Sequence, residues 1–285
     1  MEAIEPWLYH SSTSKTMKGM KQMILLWCCL LAIGCERNSM DLRYELSMDK
    51  PKGGTVVDDS IMQWMADVTR QHFGWTLLGT YDDLKSLRPD SAAICRYYVK
   101  GIDHAVAEYW KDLGDLKDQK GLHPIYIDTL SFHRLYENDN VFTYRVTEVN
   151  SMGDTHPSRY ETYVSFCKST GKRITFGQLF PPACRRDIVQ RVFDEVDSLK
   201  LAVSPETSLV STYVDIDKLD FDRVDANGYP LLTALSATSE FRFHNPAFTA
   251  DGLLFYFYTD ELGIYLEGPY TVVLPYDELP EERSL

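Results

Sequence analysis

The stretch from Phe248 to Leu279, FTADGLLFYFYTDELGIYLEGPYTVVLPYDEL, constrains the fold most. It holds two short runs that suit paired strands. Leu253 to Tyr258 is apolar and aromatic throughout, and Tyr270 to Leu274 is β-branched in its middle. Asp251-Gly252 supplies turn chemistry before the first run, because Gly adopts positive φ without steric cost. Gly268-Pro269 separates the runs, and Pro275 ends the second by removing a backbone donor. These residues specify architecture and carry no chemistry of their own.

The rest of the chain reads as blocks of strands and helices. Leu42, Tyr44 and Leu46 alternate as in one strand, and Pro51-Lys52-Gly53-Gly54 is a turn. Asp58 or Asp59 can cap a helix whose stripe is Ile61, Met62, Trp64, Met65 and Val68, closed by Gly74. Asp90 or Ser91 opens a second helix, with Ile94, Tyr98, Ile102, Ala105 and Tyr109 at helical spacing and Gly114 at its end. Gly101 costs that helix up to about 1 kcal/mol relative to Ala. Residues 125–136, 141–149 and 160–166 alternate as a meander, with a hairpin loop at 137–140. Ser169 to Lys172 turns the chain into a further extended piece, 173–176. A helix over 184–199 buries Ile188, Val189, Val192, Phe193, Val196 and Leu199, and an edge strand is expected near 209–214. Blocks rather than strict alternation predict α+β: an antiparallel meander sheet packed with helices, with a boundary between residues 118 and 122 that either divides two small subdomains or lies within one shared sheet.

Composition narrows the function. A chain of 285 residues with 44% apolar residues is globular, and a net charge of -13 argues against nucleic acid, which needs a basic face. The same charge would steer a cationic partner toward the surface.

The N-terminus has the order of an export signal. Lys15, Lys18 and Lys21 precede an apolar run, Met23 to Ile33, that is too short to span a bilayer. The run ends in Leu31-Ala32-Ile33-Gly34-Cys35, which resembles a bacterial lipobox. Residues 1–35 are thus expected to be a signal peptide with Cys35 as lipid anchor, and residues 36–41 a tether. A simple secretory signal or a tail anchor is the rival reading. The expected location is the bacterial cell envelope, periplasmic or outer-surface. Cys95, Cys167 and Cys184 remain in the body; one pair could form a disulfide, and sequence does not choose among them.

Asp251-Gly252-Leu253, Phe255, Glu261, Tyr265, Gly268, Val273 and Leu274-Pro275-Tyr276 resemble the C-terminal signature of the RsiV-like domain family. Asp260 stands where that family usually has Tyr. A second landmark, a turn over 152–157 followed by Thr170-Gly171-Lys172-Arg173-Ile174-Thr175 and Leu179-Phe180, matches the family's order and spacing, without the turn's glycine pair. The resemblance spans Asn140 to Leu279. It implies a C-terminal RsiV-like domain over 119–285, preceded by a module over 42–118. The family's best-known members are anti-sigma factors whose extracellular domain binds lysozyme, and a similar module accompanies some peptidoglycan deacetylases. What carries over is a binding module, with lysozyme or peptidoglycan as ligand. The candidate ligand-binding residues are Asp154 and His156 in the turn, and Glu261 and Tyr265 in the signature.

Chemistry read from the residues themselves is sparse. A His oriented by a carboxylate can serve as base or metal ligand, but Asp154 and His156 sit two apart in a turn before Pro157, where both residues are ordinary. The remaining histidines show no metal-ligand spacing. Asp215, Asp217, Asp220, Asp222 and Asp225 miss the EF-hand pattern and read as a solvated acidic loop. Ser165 to Lys168 spells S-x-x-K on a strand, where the acyl-transfer motif would open a helix. A nucleophile at Cys167 or Cys95 would need a partner His. No cofactor or metal is expected, and the leading expectation is a non-enzymatic binder. The alternatives are a cell-wall-modifying enzyme using Asp154, His156 and Glu261, and a structural envelope component.

The anchor generates the first prediction. Stable membrane attachment needs more than one acyl chain, which lipidation of a bacterial lipoprotein Cys supplies. Cells labelled with an alkynyl fatty acid should incorporate label into the wild-type chain and not into Cys35→Ser, which should leave the membrane fraction still folded. Equal labelling of both would show that the lipobox is misread.

Overall fold

The computed structural model describes residues 40–73, 90–114, 125–152, 157–203, 231–233, 240–258 and 270–281. Four strands form the larger sheet in the order β1 (Asp41–Met48), β2 (Ile125–Glu137), β3 (Val141–Met152) and β4 (Ser158–Cys167). The expected meander is present in β2, β3 and β4, which pair antiparallel. β1 pairs with β2 in parallel along its whole length. That pairing is open to it because the connection carries two helices, long enough for the crossover that parallel strands need. The sheet therefore runs across the expected division near residue 118. Mixed strand and helix content in separate blocks makes the fold α+β.

The two helices cover one face of this sheet. α1 (Val56–His72) starts at Thr55 rather than at the expected Asp58 or Asp59. Thr55 Oγ1 accepts from Asp58 N at 3.2 Å, and Thr55 N donates to Asp58 Oδ2 at 3.2 Å, a reciprocal capping box. Asp58 is thus the third helical residue and completes the cap rather than forming it. α2 (Ser91–Asp112) is capped by Asp90, whose side chain accepts from Ala93 N at 2.7 Å. Trp64 of α1 is the hub of the packing. It stands edge-on to Phe132, Tyr144 and Phe166 on three successive strands, with centroids at 5.6, 5.9 and 5.5 Å. Leu42, Tyr44 and Leu46 pack against this cluster from β1, as their alternation requires.

After β4 the chain turns at Gly171, whose φ is +70°. A Cβ there would lie 2.7 Å from Ser60 Oγ and 2.9 Å from Val56 O, so both conformation and close approach demand glycine. The expected extended piece 173–176 is reduced to a single bridge between Phe166 and Arg173, because Thr175 starts a helix. α3 (Phe176–Leu179) and α4 (Pro182–Val203) follow. β5 (Leu231–Thr233) and β6 (Glu240–Arg242) pair as a small ribbon, and β7 (Ala247–Phe248), β8 (Gly252–Phe257) and β9 (Tyr270–Pro275) form a three-stranded antiparallel sheet.

The second core lies between α3, α4 and this sheet. Phe176, Phe193, Phe243, Phe255 and Phe257 meet there mostly at steep ring angles. Ile188, Val189, Val192, Phe193 and Val196 of α4 are buried as their spacing implies, but Leu199 is exposed, since it lies beyond the reach of the sheet's core cluster. Gly252 is needed for a different reason than the expected turn. It opens β8, and a Cβ would sit 2.1 Å from the carbonyl oxygen of Leu274 on β9. Tyr276 then donates from its hydroxyl to Thr249 O at 2.8 Å. The signature's Gly252, Leu274, Pro275 and Tyr276 therefore clasp one hairpin.

Among the described residues no helix is long and apolar enough to cross a membrane. Among the described residues Cys95, Cys167 and Cys184 form no disulfide. The expected edge strand at 209–214 and the acidic run at 215–225 lie outside the described residues.

Gly101 is the helical glycine with a packing reason. A Cβ added there would stand 2.5 Å from Cδ2 of Phe73. Alanine gains about 1 kcal/mol of helix propensity, but forcing the buried Phe73 ring aside costs about 1–3 kcal/mol. Gly101→Ala should therefore lower stability in urea unfolding, despite the better propensity. A rise in stability would show that the ring yields freely.

Candidate functional site

The helix-facing side of the larger sheet changes character along its length. On β3, Tyr144 and Val146 give way to Glu148 and Asn150, and on β4 Phe166 and Val164 give way to Thr162 and Tyr160. α1 ends at His72, and its last turns stand over the polar half. The result is a cleft of about 620 Å³. Its floor is this polar surface, one wall is α1, and the other wall is Arg173, His244 and Tyr258.

His72 joins the helix to the floor. Its Nδ1 lies 2.7 Å from Glu148 Oε2, and its Nε2 lies 3.0 Å from both carboxylate oxygens of Asp128. The His72 and Asp128 side chains are 4% and 5% exposed, whereas Glu148 reaches the cleft at 27%. Burial pushes the imidazole toward its neutral form, but the hydrogen bonds and charges of Asp128 and Glu148 outweigh it and hold its pKa at about 9. The ring is therefore an imidazolium, and both nitrogens donate. It has no lone pair left for a metal, and among the described residues no cluster of His, Cys, Asp and Glu is placed to hold one. A cation in the last turn is also favoured by the helix dipole.

Asp128 has a second partner. Tyr98 of α2 donates from its hydroxyl to Asp128 Oδ1 at 2.6 Å, and its ring stacks on His72 at 6.3 Å and 27°. Burial and the Asp128 charge push the Tyr98 pKa well above the ordinary value, so the hydroxyl stays a donor.

The far wall is aromatic. Tyr258 hydrogen-bonds Thr162 Oγ1 through its hydroxyl at 2.6 Å. His244 stacks on buried Tyr256 at 4.7 Å and 17°, and stands edge-on to Tyr258 at 4.9 Å. Tyr160, 43% exposed, meets Tyr258 edge-on at 6.0 Å. Tyr256 seals the edge of β4, its hydroxyl 3.5 Å from Tyr163 O. Arg70 is paired with Asp67.

Cys35, Asp154, His156, Glu261 and Tyr265 lie outside the described residues. Asp154 and His156 belong to the link between β3 and β4, and residues 259–269 directly follow Tyr258. Ser165 Oγ is engaged with Thr143 Oγ1 at 2.8 Å and with Phe248 N at 3.1 Å, while Lys168 pairs with Glu137 at 2.9 Å, so the S-x-x-K spelling has no shared site. Hydrogen bonds from Ser169 and Thr170 draw the Cys167 thiol down to about 7. Sequence reading missed His72, Asp128 and Glu148. The available signal was Asp128 itself, a lone carboxylate between Tyr126 and Leu130 on the buried face of β2.

No protein-family model matches the chain, and no curated protein matches it in sequence. Its fold is similar to the crystal structure of a DUF3298 family member from Bacteroides fragilis NCTC 9343, with a TM-score of 0.55 and 16% identity over 85% of each chain. A DUF3298 family protein from Pseudomonas aeruginosa PAO1 gives a TM-score of 0.38 and 11% identity, covering 61% of this chain and 66% of that one. The first likeness establishes a shared fold at a distance.

The buried imidazolium predicts a pH dependence. The folded chain holds a proton on His72 that the unfolded chain releases near 6.5. Its contribution is fully present below that pH and is lost as pH rises through about 9. The rise from 6.5 to about 9 corresponds to about 3 kcal/mol. Urea unfolding should show this decline in the wild type and lack it in His72→Gln. At pH 6 that variant should be less stable by about 3–5 kcal/mol, because it leaves Asp128 buried without its cation. Parallel pH curves for the two proteins would refute the assignment.

Proposed function

We propose that the chain is a cell-envelope lipoprotein acting as a non-enzymatic binding module, with cell-wall glycan as its ligand. The cleft carries this reading. Its floor and walls combine polar side chains with the rings of Tyr160 and Tyr258, the mixture that suits a sugar, whose faces are apolar and whose rim is hydroxyl-rich. The buried acid-base groups beneath the cleft are committed to each other: His72 donates to Asp128 and Glu148, and Tyr98 donates to Asp128. That favours holding a ligand over general acid-base work, which needs a group poised near the working pH.

The RsiV-like resemblance over Asn140 to Leu279 supports the same reading, as does the lipobox for the location. Both segments expected to bind, around Asp154 and His156 and around Glu261 and Tyr265, connect in sequence to strands that border the cleft. A second ligand, lysozyme, is favoured by one observation, the net charge of -13, which complements a cationic protein.

Cosedimentation with insoluble peptidoglycan and calorimetry with soluble muropeptides and with lysozyme would test this. Glycan binding in the micromolar range, roughly 7–8 kcal/mol, is expected. Binding to lysozyme alone would move the ligand from the cleft to the acidic surface. Release of new sugar ends, peptide or acetate during incubation would make the chain an enzyme, and binding of neither ligand would remove the proposal.

A further inference from the structure

The geometry points to Arg173 as an anion subsite within the cleft, so that the ligand is a saccharide bearing an acidic group, a carboxylate or a phosphate. This inference rests on the glycan reading and narrows it. Arg173 is half-buried on the cleft wall, and among the described residues it makes no ion pair or side-chain hydrogen bond. The chain has 42 acidic residues against 29 basic ones, so most arginines have carboxylates to pair with. Arg43, Arg70, Arg134, Arg159 and Arg191 all pair with carboxylates.

The acids that line the cleft do not compete for Arg173. Asp67 pairs with Arg70, and Glu148 is held by the His72 imidazolium. The His72 lock thus has a consequence for binding, since its one positive charge is shared between Asp128 and Glu148 and lowers, without cancelling, the repulsion an anion would meet at the floor. An open guanidinium offers a planar fork of donors that matches carboxylate or phosphate in bidentate fashion. Partial burial strengthens such a pair relative to one in bulk water.

The neighbours fit the rest of such a ligand. The exposed ring of Tyr160 gives a flat surface for one face of a pyranose. The side-chain amides of Gln71 and Asn150 line the same cleft and carry no hydrogen bond among the described residues. They supply donors and acceptors for hydroxyl or N-acetyl groups.

Calorimetry with three sugars tests this: the N-acetylglucosaminyl–N-acetylmuramic acid disaccharide (carboxylate), N-acetylglucosamine 1-phosphate (phosphate), and chitobiose (neutral). The expected result is tighter binding of at least one acidic sugar than of chitobiose. Arg173→Gln should weaken that sugar by about tenfold or more and leave chitobiose unchanged, while Arg173→Lys should fall between. Tyr160→Ala should weaken all the sugars that bind, and an unchanged urea midpoint in each variant would show that the fold is intact. Equal binding of acidic and neutral sugars, unaffected by Arg173→Gln, overturns the subsite and leaves the glycan reading standing. Binding of none of the three by a protein that does sediment with whole peptidoglycan also overturns the subsite alone. Binding of no glycan in either form overturns both.

Discussion

A carboxylate buried on the apolar face of a strand is the constraint on which the arrangement of this molecule depends. Asp128 sits between Tyr126 and Leu130 on β2, facing the two helices that cover the sheet. An uncompensated charge there would cost several kcal/mol, and water does not reach it to pay that cost. Its partners come from both covering helices: the His72 imidazolium at the end of α1 and the Tyr98 hydroxyl on α2. The hydrogen bonds therefore fix the position and rotation of two helices against one strand. Apolar packing around Trp64 supplies the burial, but packing alone tolerates small shifts that a 2.6 Å hydrogen bond does not.

The same constraint shapes the cleft. Holding His72 over Asp128 and Glu148 places the last turns of α1 above the polar half of β3 and β4. Glu148 is drawn into the network, and the imidazolium it shares with Asp128 partly offsets its charge where it meets the cleft. The opposite wall depends on the second sheet, whose Tyr256 and Tyr258 meet β4 through Tyr163 O and Thr162. The cleft thus forms where two cores adjoin, one built on Trp64 and one on the phenylalanines of α3, α4 and β7–β9. It is the junction, rather than either core, that gathers groups of mixed polarity.

Among the described residues that carry the RsiV-like resemblance, several are architectural. Gly252 lets β8 approach Leu274, and Tyr276 ties the hairpin back to Thr249. Gly171 lets the turn after β4 touch the start of α1. A fold can be held by such positions with little sequence in common, as the shared fold at 16% identity illustrates.

Local periodicity and turn chemistry by themselves determined most of the elements. The meander, the stripe of α1, the Asp90 cap, the buried face of α4 and the final hairpin all follow from period-2 or period-3.6 patterns, because side-chain direction is set by backbone geometry alone. Sequence also determined the acidity of the surface and the export-like order of residues 15–35. Only the tertiary structure decided the parallel pairing of β1 with β2, since the crossover carries no local mark of which strand it returns to. It alone decided the site. His72 meets Asp128 across 56 residues and Glu148 across 76, and no spacing rule links positions that far apart. Arg173 is one basic residue in a turn until the fold sets it facing α1 across the cleft. Asp128 was the exception: one acid in an apolar alternation must find a partner, but its chemistry does not say from where.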